Sequence, residues 1–226
     1  MSTPTADRQH AVIFDMDGLM LDTERTYREV FRRAASDCGV EFSDELNRRL
    51  VGRNSADTRA ILRDAYGDAG VERFMGRCRH HHEVCFTETP PAIKAGLVEL
   101  LDWLDERRVP KVVATSTRRE YAIPRLERAG LLSRFASITT GDQVPRGKPA
   151  PDIYLLAART IDVPPERCVV LEDSEAGIAG AHAAGMTPLM VPDLVQPCDE
   201  VRCLTTGVFA SLVEVRAFLA ERFGAL

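Results

Sequence analysis

At 226 residues and 25.0 kDa the chain is long enough to bury a full core without disulfide or metal staples, as one large domain or two modest ones. Hydrophobic residues make up 45% and charged residues 28%, the balance of a soluble globular protein. A net charge of −5 with no basic stripe argues against a nucleic-acid partner, and no apolar stretch is long enough to span a membrane.

Lysine is scarce: Lys94, Lys111 and Lys148 are the only three, and arginine carries the remaining positive charge. The six cysteines form no CxxC pair and no zinc-ligand spacing, and Cys168 reads as a small buried hydrophobe. Scattered thiols and a polar stretch over residues 1–10, without an apolar signal region, set the expectation of a cytoplasmic protein.

The first predicted strand covers 11–14, a short apolar run that ends in Asp15-Met16-Asp17-Gly18. From residue 23 to about 91 no strand pattern follows. Tyr27, Val30, Phe31, Ala34, Ala35 and Cys38 fall on one helical face, and Gly39 suits the stop. Further helices are predicted over 44–50, 56–66 and 71–86. Within the last, His80, His81 and His82 point in three directions, cannot bind one metal together, and are expected to form a solvated stretch. Thr89-Pro90-Pro91 is a stiff return linker.

Beyond it, apolar runs at 112–114, 138–140, 169–171 and 189–191 alternate with helical patterns. Those patterns are built on Leu97, Leu100, Leu101 and Leu104, on Ile123 and Leu126, on Ile153 and Ala157, and on Ile178 and Ala181. Strands alternating with helices predict an α/β fold with a parallel sheet and helices on both faces. Residues 1–22 and 92–226 then form one discontinuous domain, with the helical segment 23–91 inserted into it.

Candidate chemistry collects at the strand ends. Asp15 and Asp17 follow the first strand, at the edge where open α/β sheets bind ligands. One carboxylate there can attack phosphorus while its neighbour protonates the leaving group and later activates water. A bare Asp-x-Asp is equally an Asx turn. The strand at 112–114 ends in Thr115-Ser116-Thr117, whose hydroxyls and N–H groups suit phosphoryl oxygens; alone, Thr115 would read as a helix N-cap. Gly147-Lys148-Pro149 offers a loop ammonium, and the strand at 169–171 ends in Glu172-Asp173-Ser174. Two carboxylate clusters at neighbouring strand ends repel unless a cation lies between them, and oxygen-only ligands suit magnesium.

In this order, Asp15-Met16-Asp17-Gly18, Thr115, Lys148-Pro149 and Glu172-Asp173-Ser174 resemble the four motifs of the haloacid dehalogenase superfamily. The flanking phrases FDMDGLMLDTE, GKPAPDIY and EDSEAGIAGAHAAGM are similar to the branch holding beta-phosphoglucomutases and sugar-phosphate phosphatases. The resemblance covers nearly the whole chain and implies a Rossmann-like core with an α-helical cap domain. It implies Asp15 as nucleophile and magnesium ligand, and Asp17 as acid/base with its backbone carbonyl on the metal. Thr115 and the backbone of Ser116 would bind phosphoryl oxygens, Lys148 would steady developing charge, and Asp173 and Glu172 would complete the Mg2+ site.

Within that family, Asp17 argues against dehalogenation, because a departing halide needs no proton. No lysine lies between 23 and 93, which argues against Schiff-base phosphonate hydrolysis. In beta-phosphoglucomutases a cap histidine follows the first motif; here Tyr27 takes that position. The expected function is therefore a magnesium-dependent phosphatase acting on a small phosphorylated metabolite. A sugar phosphomutase is the alternative and a non-catalytic phosphate-binding module the minor one. Thr23, Tyr27, Gly52, Arg53, Asn54 and Ser55 are candidate cap contacts to substrate, although Tyr27 also fits ordinary packing. Lys94 reads as support for the hinge. No protein partner is indicated, and a monomer is expected with a dimer left open.

Overall fold

Strand β1 (Ala11–Phe14) is followed by the two-residue β2 (Leu21–Asp22) and the helices α1 (Glu24–Cys38), α2 (Asp44–Leu50) and α3 (Ser55–Glu88). The chain returns through β3 (Ala92–Ile93), which pairs with β2. Then come α4 (Leu97–Glu106), β4 (Lys111–Thr115), α5 (Arg119–Arg128), β5 (Ser137–Thr140), α6 (Asp152–Thr160) and β6 (Cys168–Glu172). The last elements are α7 (Glu175–Ala183), β7 (Thr187–Met190), α8 (Asp199–Arg202), β8 (Gly207–Val208) and α9 (Leu212–Phe223). This computed structural model describes residues 10–50, 55–88 and 90–223. Two compact units emerge, one from Met1–Leu21 and Ile93–Leu226, the other from Asp22–Ala92.

The first unit is a six-stranded parallel sheet in the order β5-β4-β1-β6-β7-β8, a Rossmann-like arrangement with helices on both faces. Alternation along each strand builds two cores. Val12, Phe14, Val113, Val169, Leu171 and Leu189 pack with Leu97, Leu100, Leu101 and Leu104 of α4, Leu126 of α5 and Val215 of α9. Ala11, Ile13, Val112, Ala114, Cys168 and Val170 pack with Ile153, Tyr154 and Ala157 of α6 and Ala181 of α7. The four α4 leucines are at most 1% exposed, each contributing about 1.5–3 kcal/mol of burial free energy. Both faces being covered explains why these strands read as unbroken apolar runs.

In the second unit α1 and α3 pack around Val30, Ala34, Leu62, Val71 and Phe74. The helices predicted over 56–66 and 71–86 are both present within α3, which divides at Gly67, where φ 72° and ψ 173° leave the helical region. The three histidines do not share one solvated face. His80 is exposed, His81 bonds Asp37 at 2.8 Å, and His82 stacks on Phe86 at 4.7 Å between ring centroids. No described helix is long and apolar enough to cross a membrane.

Candidate active site

Strand alternation decides which side chains meet. Continuing β1 by one residue sends Asp15 toward the side of Ala11 and Ile13, the side covered by α6. On the neighbouring β6, Glu172 follows Cys168 and Val170 to the same side. The loop before α6 delivers Lys148 between them: its Nζ donates to Asp15 Oδ1 at 2.5 Å, to Glu172 Oε1 at 2.5 Å and to the Ala114 carbonyl at 3.1 Å. Its side chain is 6% exposed.

Glu172 is fully buried and its oxygens are heavily used. Oε1 also accepts from the Tyr154 hydroxyl at 2.6 Å, while Oε2 accepts from the Ser174 N–H at 3.1 Å and the Ser174 hydroxyl at 2.9 Å. Ser174 in turn caps α7 by accepting from the Gly177 N–H at 3.1 Å. A Cβ on Gly177 would lie 1.9 Å from the Glu172 carboxyl carbon, so only glycine lets the helix start here. Gly18 plays the matching part for Asp173. At φ +89° it turns the chain, and a Cβ there would sit 2.1 Å from Asp173 Oδ2.

Asp15, Glu172 and Asp173 each bring a carboxylate oxygen within 4.8 Å of the others. One ammonium does not balance three carboxylates. Burial pushes Asp15 up to about 8; Lys148 pulls the other way, and Glu172 and Asp17 add to the rise. Burial, with Asp15 and Glu172 beside it, holds Asp173 well above the ordinary aspartate range. Burial would lower Lys148, but Asp15 and Glu172 outweigh it and keep the ammonium protonated. A close, oxygen-only set with excess negative charge fits a hard divalent cation such as magnesium.

Asp17 lies outside this cluster of bonds. Its Oδ2 accepts from the Thr117 hydroxyl and its Oδ1 from Arg125 Nη1, both at 2.6 Å. Thr115, 1% exposed, accepts the Thr117 N–H at 3.1 Å, and α5 begins only after Arg118, so Thr115 is not its N-cap. Ser116 is exposed at the strand end. The fold thus brings together Asp15, Asp17, Thr115, Lys148, Glu172 and Asp173. Sequence reasoning missed Tyr154 and Arg125, and read the Thr117 hydroxyl for phosphoryl oxygens rather than for Asp17. An arginine between Ala122 and Leu126 on an apolar helix face was the available signal for Arg125.

The other candidates belong to the helical unit. Thr23 is buried, its carbonyl accepting the Tyr27 N–H at 2.9 Å. Tyr27 packs against Phe31, His82 and Phe86, with the His82 ring centroid 5.9 Å away. The fold therefore brings to Tyr27 a histidine that sequence distance concealed. Gly52, Arg53 and Asn54 lie outside the described residues, and of Ser55 only its place at the start of α3 is described. Lys94 bonds Asp193 at 2.5 Å, and its N–H reaches the Met20 carbonyl at 2.9 Å.

A parallel sheet carrying paired acids and one buried lysine at its C-terminal edge defines a class of α/β enzymes that bind ligands there. Residues 9–185 match the family model of the haloacid dehalogenase-like hydrolases, and the chain belongs to that family. It is 38% identical over 177 residues to a phosphorylated carbohydrates phosphatase of Thermotoga maritima, covering 78% of this chain and 82% of that one. Identity to a beta-phosphoglucomutase of Bacillus subtilis is 31%, covering 82% and 88% of the two chains. Among solved structures, a haloacid dehalogenase family hydrolase from Deinococcus radiodurans with bound phosphate and sodium superposes with a TM-score of 0.78. The two are 30% identical, over 97% of this chain and 98% of that one.

Proposed function

We propose that the protein is a magnesium-dependent phosphatase that hydrolyses a small phosphorylated metabolite, a sugar phosphate or similar monoester, through an aspartyl phosphate on Asp15. Membership of the hydrolase family and the likeness to a phosphorylated carbohydrates phosphatase support a phosphoric monoester hydrolase. The observation that carries the reading is Lys148, fixed between Asp15 and Glu172 while Asp17 is held separately by Thr117 and Arg125. A nucleophile and an acid/base thus occupy adjacent but distinct environments.

In this mechanism Asp15 attacks phosphorus, the P–O bond to the leaving group breaks, and Asp17 donates a proton to the departing alkoxide. Asp17, now ionised, takes a proton from water, which attacks the aspartyl phosphate and releases phosphate and free Asp15. Thr115 and the Ser116 N–H hold phosphoryl oxygens, and Lys148 neutralises charge on the transferring group. Asp15, Asp173, the Asp17 carbonyl and Glu172, directly or through water, would hold magnesium, which supplies electrostatic stabilisation of the phosphoryl group when bound. The helical unit acts as the cap that selects substrate and excludes water during transfer, with Arg53 able to meet a second anionic group.

The test is a screen of phosphorylated metabolites with magnesium, measuring free phosphate, with Asp15→Asn as control. Release by the wild type and none by the variant supports hydrolysis; release that survives chelation of the metal sinks the mechanism. A second reading, the mutase, draws support from the likeness to the Bacillus subtilis enzyme and from His82 beside Tyr27. Incubation with β-glucose 1-phosphate and its bisphosphate decides it: glucose 6-phosphate formed without phosphate release would establish the mutase.

A further inference from the structure

We infer that Arg125 is a positioning residue that, with Thr117, sets the orientation of the Asp17 carboxylate for proton transfer; the inference rests on the reading of Asp17 as the acid/base. Asp17 stands past the end of β1, at the turn that Gly18 makes, so no regular ladder fixes its side chain. Two donors from elsewhere in the core unit do so. Arg125 Nη1 reaches Oδ1 from α5 and the Thr117 hydroxyl reaches Oδ2 from the loop after β4, each at 2.6 Å. Bonds to both oxygens from two different segments fix the carboxylate plane as well as its place.

Arg125 is itself an expensive choice. Its side chain is 2% exposed, on the face of α5 that also buries Ala122 and Leu126. A guanidinium taken out of water is costly unless a carboxylate meets it, and a purely structural helix contact there would be met by an aliphatic side chain. Among the described residues, the acid bonded to Arg125 is Asp17, two residues from the nucleophile. Thr117 is equally constrained, because its N–H is tied to Thr115 Oγ1 at 3.1 Å. Among the described residues, two cations at the site thus have separate partners: Lys148 bonds Asp15 and Glu172, and Arg125 bonds Asp17.

The inference predicts a dependence on the leaving group. An alkoxide needs a well-placed proton to depart, whereas 2,4-dinitrophenolate leaves as a stable anion without one. The specificity constant kcat/KM reports the phosphorylation of Asp15, so comparing a sugar phosphate with 2,4-dinitrophenyl phosphate isolates the proton transfer. For Arg125→Met, kcat/KM on the fastest sugar phosphate should fall on the order of 10- to 100-fold, as expected for a misplaced acid. On 2,4-dinitrophenyl phosphate the loss should stay below about 3-fold, because no proton transfer is needed. Arg125→Lys should recover part of the sugar-phosphate rate, and Thr117→Val should show the same selective loss.

Equal losses on both substrates, or none on either, would overturn the inference in favour of a structural role. If circular dichroism shows that Arg125→Met does not fold, the ratio measured for Thr117→Val decides. Asp17→Asn separates the two levels of failure. A wild type that hydrolyses neither substrate, or an Asp17→Asn variant without leaving-group selectivity, overturns the role of Asp17 and this inference together. A selective Asp17→Asn beside unselective Arg125→Met and Thr117→Val overturns the inference alone.

Discussion

At Asp15 burial and charge conflict, and the conflict can be measured. Burial pushes its carboxyl up to about 8. Asp15→Asn removes a group that is costly to ionise in place, so the variant should release no phosphate yet melt above the wild type at pH 8 without added metal; differential scanning fluorimetry beside a phosphate assay checks both. Glu172→Gln should act in the opposite sense. It weakens the bond to Lys148 and presents an amide to donors that need an acceptor, and breaking such a buried pair costs about 3 kcal/mol. Urea unfolding should show that loss, with activity reduced at least tenfold. At this scale the sequence was informative where acidic residues follow strands, as for Asp15 and Asp173, and where a scarce lysine stands in a loop, as for Lys148. It was silent on Tyr154 and Arg125, because pairings across 18 and 108 residues leave no local spacing to read.

Between strands and helices, the joint of β6 and α7 carries the most consequence. Ser174 holds the Glu172 carboxylate with one side of its hydroxyl and caps α7 with the other. Ser174→Ala should therefore cost more than an ordinary N-cap, which is worth about 1 kcal/mol, and should also lower activity through Glu172. Gly177→Ala should be worse still, since its Cβ would enter the space of the Glu172 carboxylate. The measurement is urea unfolding of the two variants side by side; a Gly177→Ala protein as stable as wild type would contradict the packing described. The five main strands were legible because burial on both faces leaves continuous β-branched runs. Gly207–Val208 was not, because two residues at a sheet edge carry no pattern. The division of α3 at Gly67 was legible as the gap between the helices predicted over 56–66 and 71–86.

For the whole molecule, the acidic cluster links stability to pH and to cations. An aspartate in the unfolded chain is ionised above about pH 4. Folded Asp15 keeps its proton up to about 8, so between these values the native state binds more protons than the unfolded state. Stability without metal should then fall as pH rises from 6 to 8. Saturating magnesium should flatten or reverse that slope by favouring the ionised carboxylates, and chelation should restore it. Melting temperatures at pH 6, 7 and 8, with and without magnesium, give the answer; a slope indifferent to the metal would mean that the cluster does not bind it. The candidate substrate contacts at 52–54 are expectations that lie outside the described residues.

The three lysines have a practical consequence. Lys111 is nearly buried against Asp105, Lys148 lies between Asp15 and Glu172, and Lys94 is 26% exposed and tied to Asp193. No lysine ammonium in the chain is both exposed and unpaired, so the lysine side chains of the folded protein should react slowly with acylating reagents. Their slow reaction at Lys148 would time the opening of the core around the active site, turning a scarcity of lysine into a single-residue clock for local unfolding.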